Sequence, residues 1–152
     1  MKIRILTLSL LLVLLASFAL TGCDEHILDA NGDNTSICTI TKAQLEAEEP
    51  EYLEEGMVEA QNEGEHTVQF TLLSGVYDSA KYAADSETLT VNTEVTLTKG
   101  NLRVMLMHDG EFVQDIPVGT NTLVIKGAKG NYYLRIAGES AELNAKITFA
   151  QS

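Results

Sequence analysis

From His66 to the C-terminus, apolar residues recur at every second position. They run through Val68, Phe70 and Leu72, then Leu89 and Val91, Val95 and Leu97, Leu102, Val104 and Leu106, and finally Leu143, Ala145, Ile147 and Phe149. A period of two belongs to strands with one face in a core and the other in water. Turn chemistry separates these runs at Ser74-Gly75, Lys99-Gly100-Asn101, Asp109-Gly110, Gly119-Thr120-Asn121, Lys129-Gly130-Asn131 and Gly138-Glu139-Ser140. Asp109-Gly110, between Leu106 and Phe112, is a hairpin signal because both residues tolerate positive φ. The pattern predicts roughly seven or eight short strands, and so an all-β antiparallel sandwich of jelly-roll or immunoglobulin-like kind over residues 66–152. Strand order is not written in such a pattern.

Upstream of His66 the spacing changes. Thr41-Lys42-Ala43-Gln44 forms a capping box, in which Thr41 caps the amide of Gln44 and Gln44 reaches back, so a helix is expected to start there. Pro50 breaks or restarts it. Leu53, Met57 and Ala60 at i, i+4 and i+7 then carry a thin apolar stripe toward Asn62-Glu63-Gly64. Glu59, Glu63 and Glu65 sit at the end where a helix dipole favours cations, which makes the helix marginal. The stripe either docks on the sandwich or belongs to a frayed acidic spacer. If residues 24–65 were unstructured, their ends would lie roughly 35 Å apart.

The first residues have a third pattern. Lys2 and Arg4 precede an apolar run from Ile5 to Leu20 that closes in Leu20-Thr21-Gly22-Cys23. A basic front, a short hydrophobic centre and small residues at the exit describe a removable secretory signal over residues 1–22. The tetrapeptide resembles the box read by bacterial lipoprotein processing enzymes. That resemblance implies diacylglyceryl transfer to the Cys23 sulfur and cleavage before it, leaving an extracytoplasmic protein anchored to the bacterial cell membrane. Two acyl chains suffice for a stable anchor where one does not. In Gram-negative members of that class, the position held here by Asp24 is associated with inner-membrane retention.

Charge narrows the partners. With Lys2 and Arg4 removed, eight Lys and Arg face 22 Asp and Glu, a net charge of −14. Such a surface repels a polyanion, so nucleic acid is excluded as a partner. Residues 24–65 carry thirteen acids against Lys42 alone, whereas residues 66–152 carry nine acids against seven bases. This divides the mature chain into a lipidated acidic linker, 23–65, and a domain, 66–152. With Cys23 acylated, Cys38 has no partner within the chain. It is then either a small buried hydrophobe in Ser36-Ile37-Cys38-Thr39-Ile40 or a point of intermolecular pairing.

Candidate chemistry is sparse. Asp29, Asn31 and Asp33 alternate as in the start of an EF-hand-like calcium loop, but the twelfth position is Ile40 where a bidentate acid belongs, and a solvated turn accounts for the same residues. His26, His66 and His108 show no ligand spacing. Ser79-Ala80-Lys81 has the wrong interval for a Ser-x-x-Lys arrangement. Tyr77, Tyr82, Tyr132 and Tyr133 offer material for a sugar-stacking platform. Tyr132 and Tyr133 are adjacent, so they must point to opposite faces of one strand.

Gly130-Asn131-Tyr132-Tyr133-Leu134-Arg135-Ile136-Ala137-Gly138 resembles the late strand of bacterial pre-peptidase C-terminal domains, which accompany hydrolases without performing their chemistry. The likeness covers about a third of the chain and departs at Ala145-Lys146-Ile147, where that family carries an aromatic. The layout also resembles small bacterial lipoproteins with an acidic linker and one sandwich. The expectation is therefore a membrane-anchored, non-catalytic binding or accessory module without a cofactor. Its alternatives are a carbohydrate- or peptide-binding surface protein and a structural envelope protein.

Overall fold

The computed structural model describes residues 40–62 and 64–152, with the backbone of two short strands, β1 (His26–Leu28) and β2 (Asn34–Ser36), which pair antiparallel with each other. The leader, Cys23, Cys38 and the Asp29, Asn31 and Asp33 loop lie outside the described residues.

A four-residue helix, α1 (Lys42–Leu45), follows Ile40 and Thr41 and carries the expected capping box. The Gln44 amide donates to Thr41 Oγ1 at 3.3 Å, and the Thr41 amide donates to Gln44 Oε1 at 2.8 Å. The helix does not resume after Pro50. Leu53, Met57 and Ala60, spaced as a helical stripe, fall instead on or between β3 (Tyr52–Glu55) and β4 (Val58–Asn62). Both strands pair with β5, so strand pairing extends upstream of the charge boundary at His66. Their shortness explains the misreading. Four or five residues rich in Glu cannot display a period of two, and only Gly56 and Gly64, both at positive φ, punctuate them.

The remaining strands are β5 (Glu65–Asp85), β6 (Thr88–His108), β7 (Glu111–Ile116), β8 (Gly119–Lys126) and β9 (Lys129–Gln151). All pairing is antiparallel in the order β3-β5-β9-β6-β7, with β4 also on β5 and β8 also on β6. The fold is all-β and sandwich-like, as the alternation implied.

The sandwich is made from three long strands that each pass through both layers. Pairing shifts register at Phe70/Leu73 and Leu73/Gly75 in β5 and at Leu97/Lys99 and Lys99/Asn101 in β6, where β9 passes from Gly138 to Ala141. Gly75, Gly100 and Ser140 all have positive φ there, so each strand turns at the same level. Layer I holds β4, β8, residues 65–73, 88–97 and 141–151. Layer II holds β7 and residues 75–85, 101–108 and 129–139. Their inner faces meet in one core containing Val68, Phe70, Leu89, Leu106, Leu134, Ile136 and Ile147. Rings from opposite layers touch: Phe70 meets Tyr77 edge to face at 5.3 Å, and Tyr82 stacks on Phe149 at 4.8 Å. At the far end the chain crosses between layers at Asp85 to Thr88 and again at Lys126 to Lys129. The two crossings bond to each other through Ser86 N to Ala128 O and Gly127 N to Glu87 O.

The bend has little room for side chains. A Cβ on Gly100 would lie 2.4 Å from Ser140 O and 2.5 Å from Glu139 O, whereas one on Gly110 in the hairpin meets nothing within 4 Å. Gly100→Ala should therefore cost about 3 kcal/mol, combining backbone strain with a forced opening of the bend, and Gly110→Ala about 1 kcal/mol from strain alone. Urea unfolding midpoints of the two variants check the order.

Candidate functional site

The outer faces of the two layers differ. Layer I shows water Asn92, Glu94, Thr96, Thr120, Thr122, Asn144 and Lys146, as a one-sided strand pattern requires. Gln69, Glu94, Thr96, Asn144 and Lys146 surround a depression there of about 340 Å³. Layer II is buried on both sides. Val104-Met105-Leu106-Met107 is an unbroken apolar run, and while Val104 and Leu106 enter the core, Met105 and Met107 join Ile40, Leu45, Val76, Ala137 and Tyr133 in a second cluster on the outer face. That run, which breaks the alternation, was the sequence signal for a second covered face.

Arg135 holds the cover in place. Its side chain is 2% exposed and donates Nε and Nη2 to the two Asp78 oxygens at 2.7 and 2.9 Å, and Nη1 to Leu45 O at 2.7 Å. One planar guanidinium thus binds both oxygens of a neighbouring strand's carboxylate and the last carbonyl of α1 together. The hydrogen bond to Asp78 raises the Arg135 pKa further, so the charge is fixed.

Beside α1 the face opens into a groove of about 510 Å³ between Lys42, Leu45 and Glu46 on one side and Phe112 on the other, over Arg103, Met105 and Met107. Arg103 donates to Asp115 at 2.7 and 3.3 Å, and its guanidinium lies 5.6 Å from the Phe112 ring centre. The groove borders β7, the last strand of the sheet path. Among the described residues the far edge of β7 carries no partner strand, and Phe112 and Val113 are 52% and 44% exposed. A mostly apolar recess with a few charged groups beside an open strand edge fits an extended peptide.

A second polar cluster lies between the layers. Glu59 Oε1 accepts from Tyr77 Oη at 2.6 Å and meets His66 Nε2 at 2.7 Å. This ties β4 to layer II. His66 also lines a small recess of about 30 Å³ together with Gly64, Lys81, Tyr82 and Phe149.

The four tyrosines do not assemble. Tyr77 is in the core, and Tyr82 spends its face on Phe149. Tyr132 is buried and stacks on His108 at 4.5 Å, near the turn where Asp109 accepts from the Asn131 amide at 2.8 Å. Tyr133 points to the opposite face, packs on the second cluster with the Arg135 guanidinium 5.8 Å from its ring centre, and has its phenol pKa pushed up by burial. Among the described residues the exposed aromatics are Tyr52 and Phe112, on different edges. Among the described residues no cluster of three His, Cys, Asp or Glu is placed to hold a metal ion. Comparison with known proteins finds no matching family model and no matching curated protein.

Two outcomes are expected. Arg135→Met leaves Asp78 buried without its partner and should cost about 3–5 kcal/mol, and Arg135→Lys should recover only part of it because an ammonium cannot span both oxygens and Leu45 O. Urea unfolding of the three proteins checks this. Burial, then the hydrogen bond to Glu59, pushes the Tyr77 phenol far above its ordinary value of 10.0. A proton held more tightly by the folded state stabilises it below pH 10 and ceases to do so as pH rises beyond. Tyr77→Phe should flatten that part of the alkaline stability loss, read from unfolding midpoints across the range.

Proposed function

We propose that the protein is a membrane-anchored extracytoplasmic lipoprotein whose sandwich is a non-catalytic binding module, and that its ligand is an extended segment of another envelope protein added to the edge of β7. The address rests on the leader and on Leu20-Thr21-Gly22-Cys23. The observation that carries the ligand class is the β7 edge, with Phe112 and Val113 exposed beside a groove floored by Met105 and Met107. An unpaired edge supplies main-chain donors and acceptors at regular spacing, and methionines supply a surface that adapts to varied side chains. The depression on layer I offers hydroxyls and amides without an aromatic ring, a poorer platform for a sugar.

Metabolic labelling with an alkynyl fatty acid should mark the native protein at Cys23, and Cys23→Ser should release it from the membrane. An intact leader or a bare thiol in the mass spectrum overturns the address. A photo-cross-linking residue at Val113 should trap a defined envelope protein, with Phe112→Asp reducing the yield several-fold. Equal trapping from a control position at Thr90 on layer I removes the edge from consideration.

A further inference from the structure

We infer that β8 is a self-association edge, along which a second copy of this chain adds its own β8 antiparallel about a two-fold axis. β8 pairs with β6 without a register shift from Lys126 and Thr88 to Gly119 and Val95, and among the described residues no strand lies on its other side. Thr88 exchanges both main-chain bonds with Ser152 on the β9 side at 3.1 and 3.0 Å, so alternation turns Leu89, Val91, Thr93 and Val95 toward β8. On β8 the main-chain groups of Thr120, Thr122, Val124 and Lys126 therefore point away from the sheet. The other open edges among the described residues are short or interrupted. β3 has four residues, two of them Glu, and β4 turns Glu59 inward. β5 beyond β3 shifts register between Ser79 and Tyr82 with Ala80 at positive φ, and β6 is open on the β7 and β8 side only across its bend. β7, assigned above to a foreign segment, has a register shift at Val113 that interrupts a continuous ladder with its own copy. β8 contains no bulge, Pro or acid, and its one charge, Lys126, stands at its end. An edge left this regular is a template for another strand.

The strand matches itself. With Leu123 on the axis, Thr122 faces Val124 of the second copy and Thr120 faces Lys126, so all four outward-pointing residues find main-chain partners. A slip of two residues either way leaves Thr120 or Lys126 without a partner in the strand. On the inner side Leu123 meets Leu123 across the axis. Leu123 and Ile125 are only half-buried, although Val91 and Leu89 beside them on β6 are fully buried, so the core runs out to this edge unfinished. On the outer side Val124 is 60% exposed. Charge agrees with the register. Lys126 of the second copy lies beside Thr120, whose other neighbour is the exposed Glu94, and two extended side chains span the roughly 10 Å between those Cα atoms. The contact is isologous and closes at two copies, since each chain offers one such edge. A single strand pair buries less than the roughly 1,200 Å² at the lower bound of stable interfaces, so the dimer dissociates on dilution. It uses the edge of layer I, not the groove or the β7 edge, and stands or falls separately from the peptide-binding reading.

The test uses the chain from residue 23 onward with Cys23→Ser and Cys38→Ser, which removes both native thiols. Into it go three single substitutions, Thr122→Cys, Leu123→Cys and Val124→Cys. Under mild oxidation the Leu123→Cys protein should form a disulfide-linked dimer with itself, because directly opposed residues of a pair without mutual main-chain bonds bring their side chains closest. The Thr122→Cys and Val124→Cys proteins should link to each other several-fold more than either links to itself. Sedimentation velocity of the cysteine-free protein should show monomer at micromolar concentration and dimer, with nothing larger, toward millimolar. Val124→Pro removes an N–H that β6 does not use, so it should abolish the dimer, and Phe112→Asp on β7 should leave it intact. Monomer throughout without a Leu123→Cys link, equal linking by all three cysteines, or growth beyond two copies overturns the inference, as does a dimer that Val124→Pro leaves unchanged. The cysteine pattern decides the matter even if the proline variant fails to fold. A dimer through β8 together with no cross-link at Val113 leaves this inference standing and removes the ligand reading.

Discussion

Three strands long enough to cross the molecule twice must all turn at one level, or the sheet cannot close on itself. β5, β6 and β9 run for 21, 21 and 23 residues, and each places a residue of positive φ at the turn: Gly75, Gly100 and Ser140. If one of these bends were displaced by a residue, the side chains beyond it would exchange core for solvent, because alternation has a period of two. The shared bend therefore sets which half of every strand faces which, and so places Phe70 against Tyr77 and Tyr82 against Phe149.

From that geometry follows the asymmetry of the two surfaces. Layer I has a core on one side and water on the other, and its outer positions are Thr, Asn, Gln and charged residues. Layer II carries apolar residues on both sides, so its outer face needs a cover, which α1 supplies over Leu45 and Arg135 secures. A guanidinium this deeply buried is costly to desolvate, and its bidentate pairing with Asp78 is joined in offsetting that cost by a third N–H bond to Leu45 O. The groove beside α1 is the portion of the face that the short helix does not reach, and it adjoins the one strand edge with exposed Phe112 and Val113.

Much of this was legible in the chain, and the misreadings share a physical source. The alternation at Val68, Phe70, Leu89 and Ile147 marked the inner faces, Asp109-Gly110 became the hairpin between β6 and β7, and Thr41 capped its helix. Ser74-Gly75, Lys99-Gly100-Asn101 and Gly138-Glu139-Ser140 read as turns between short strands because a bend within a long strand uses the same positive-φ residues as a turn that ends one. Leu53, Met57 and Ala60 satisfied a helical spacing that short edge strands cannot contradict. The β7 edge was not legible, since exposure of Phe112 depends on strand order, a long-range property.

Leu45 O is the first carbonyl after residue 40 to be gripped by a buried side chain from a central strand. Tension applied from the N-terminal side therefore loads Arg135 and β9, with neighbours on both flanks, before it reaches β3 and β4. Those two are outlying strands held to β5 alone, the arrangement that peels open one hydrogen bond at a time. A clasp upstream of them shields the seam most easily unzipped, so a pull on the N-terminal side would be carried to the part of the sheet best able to resist shear.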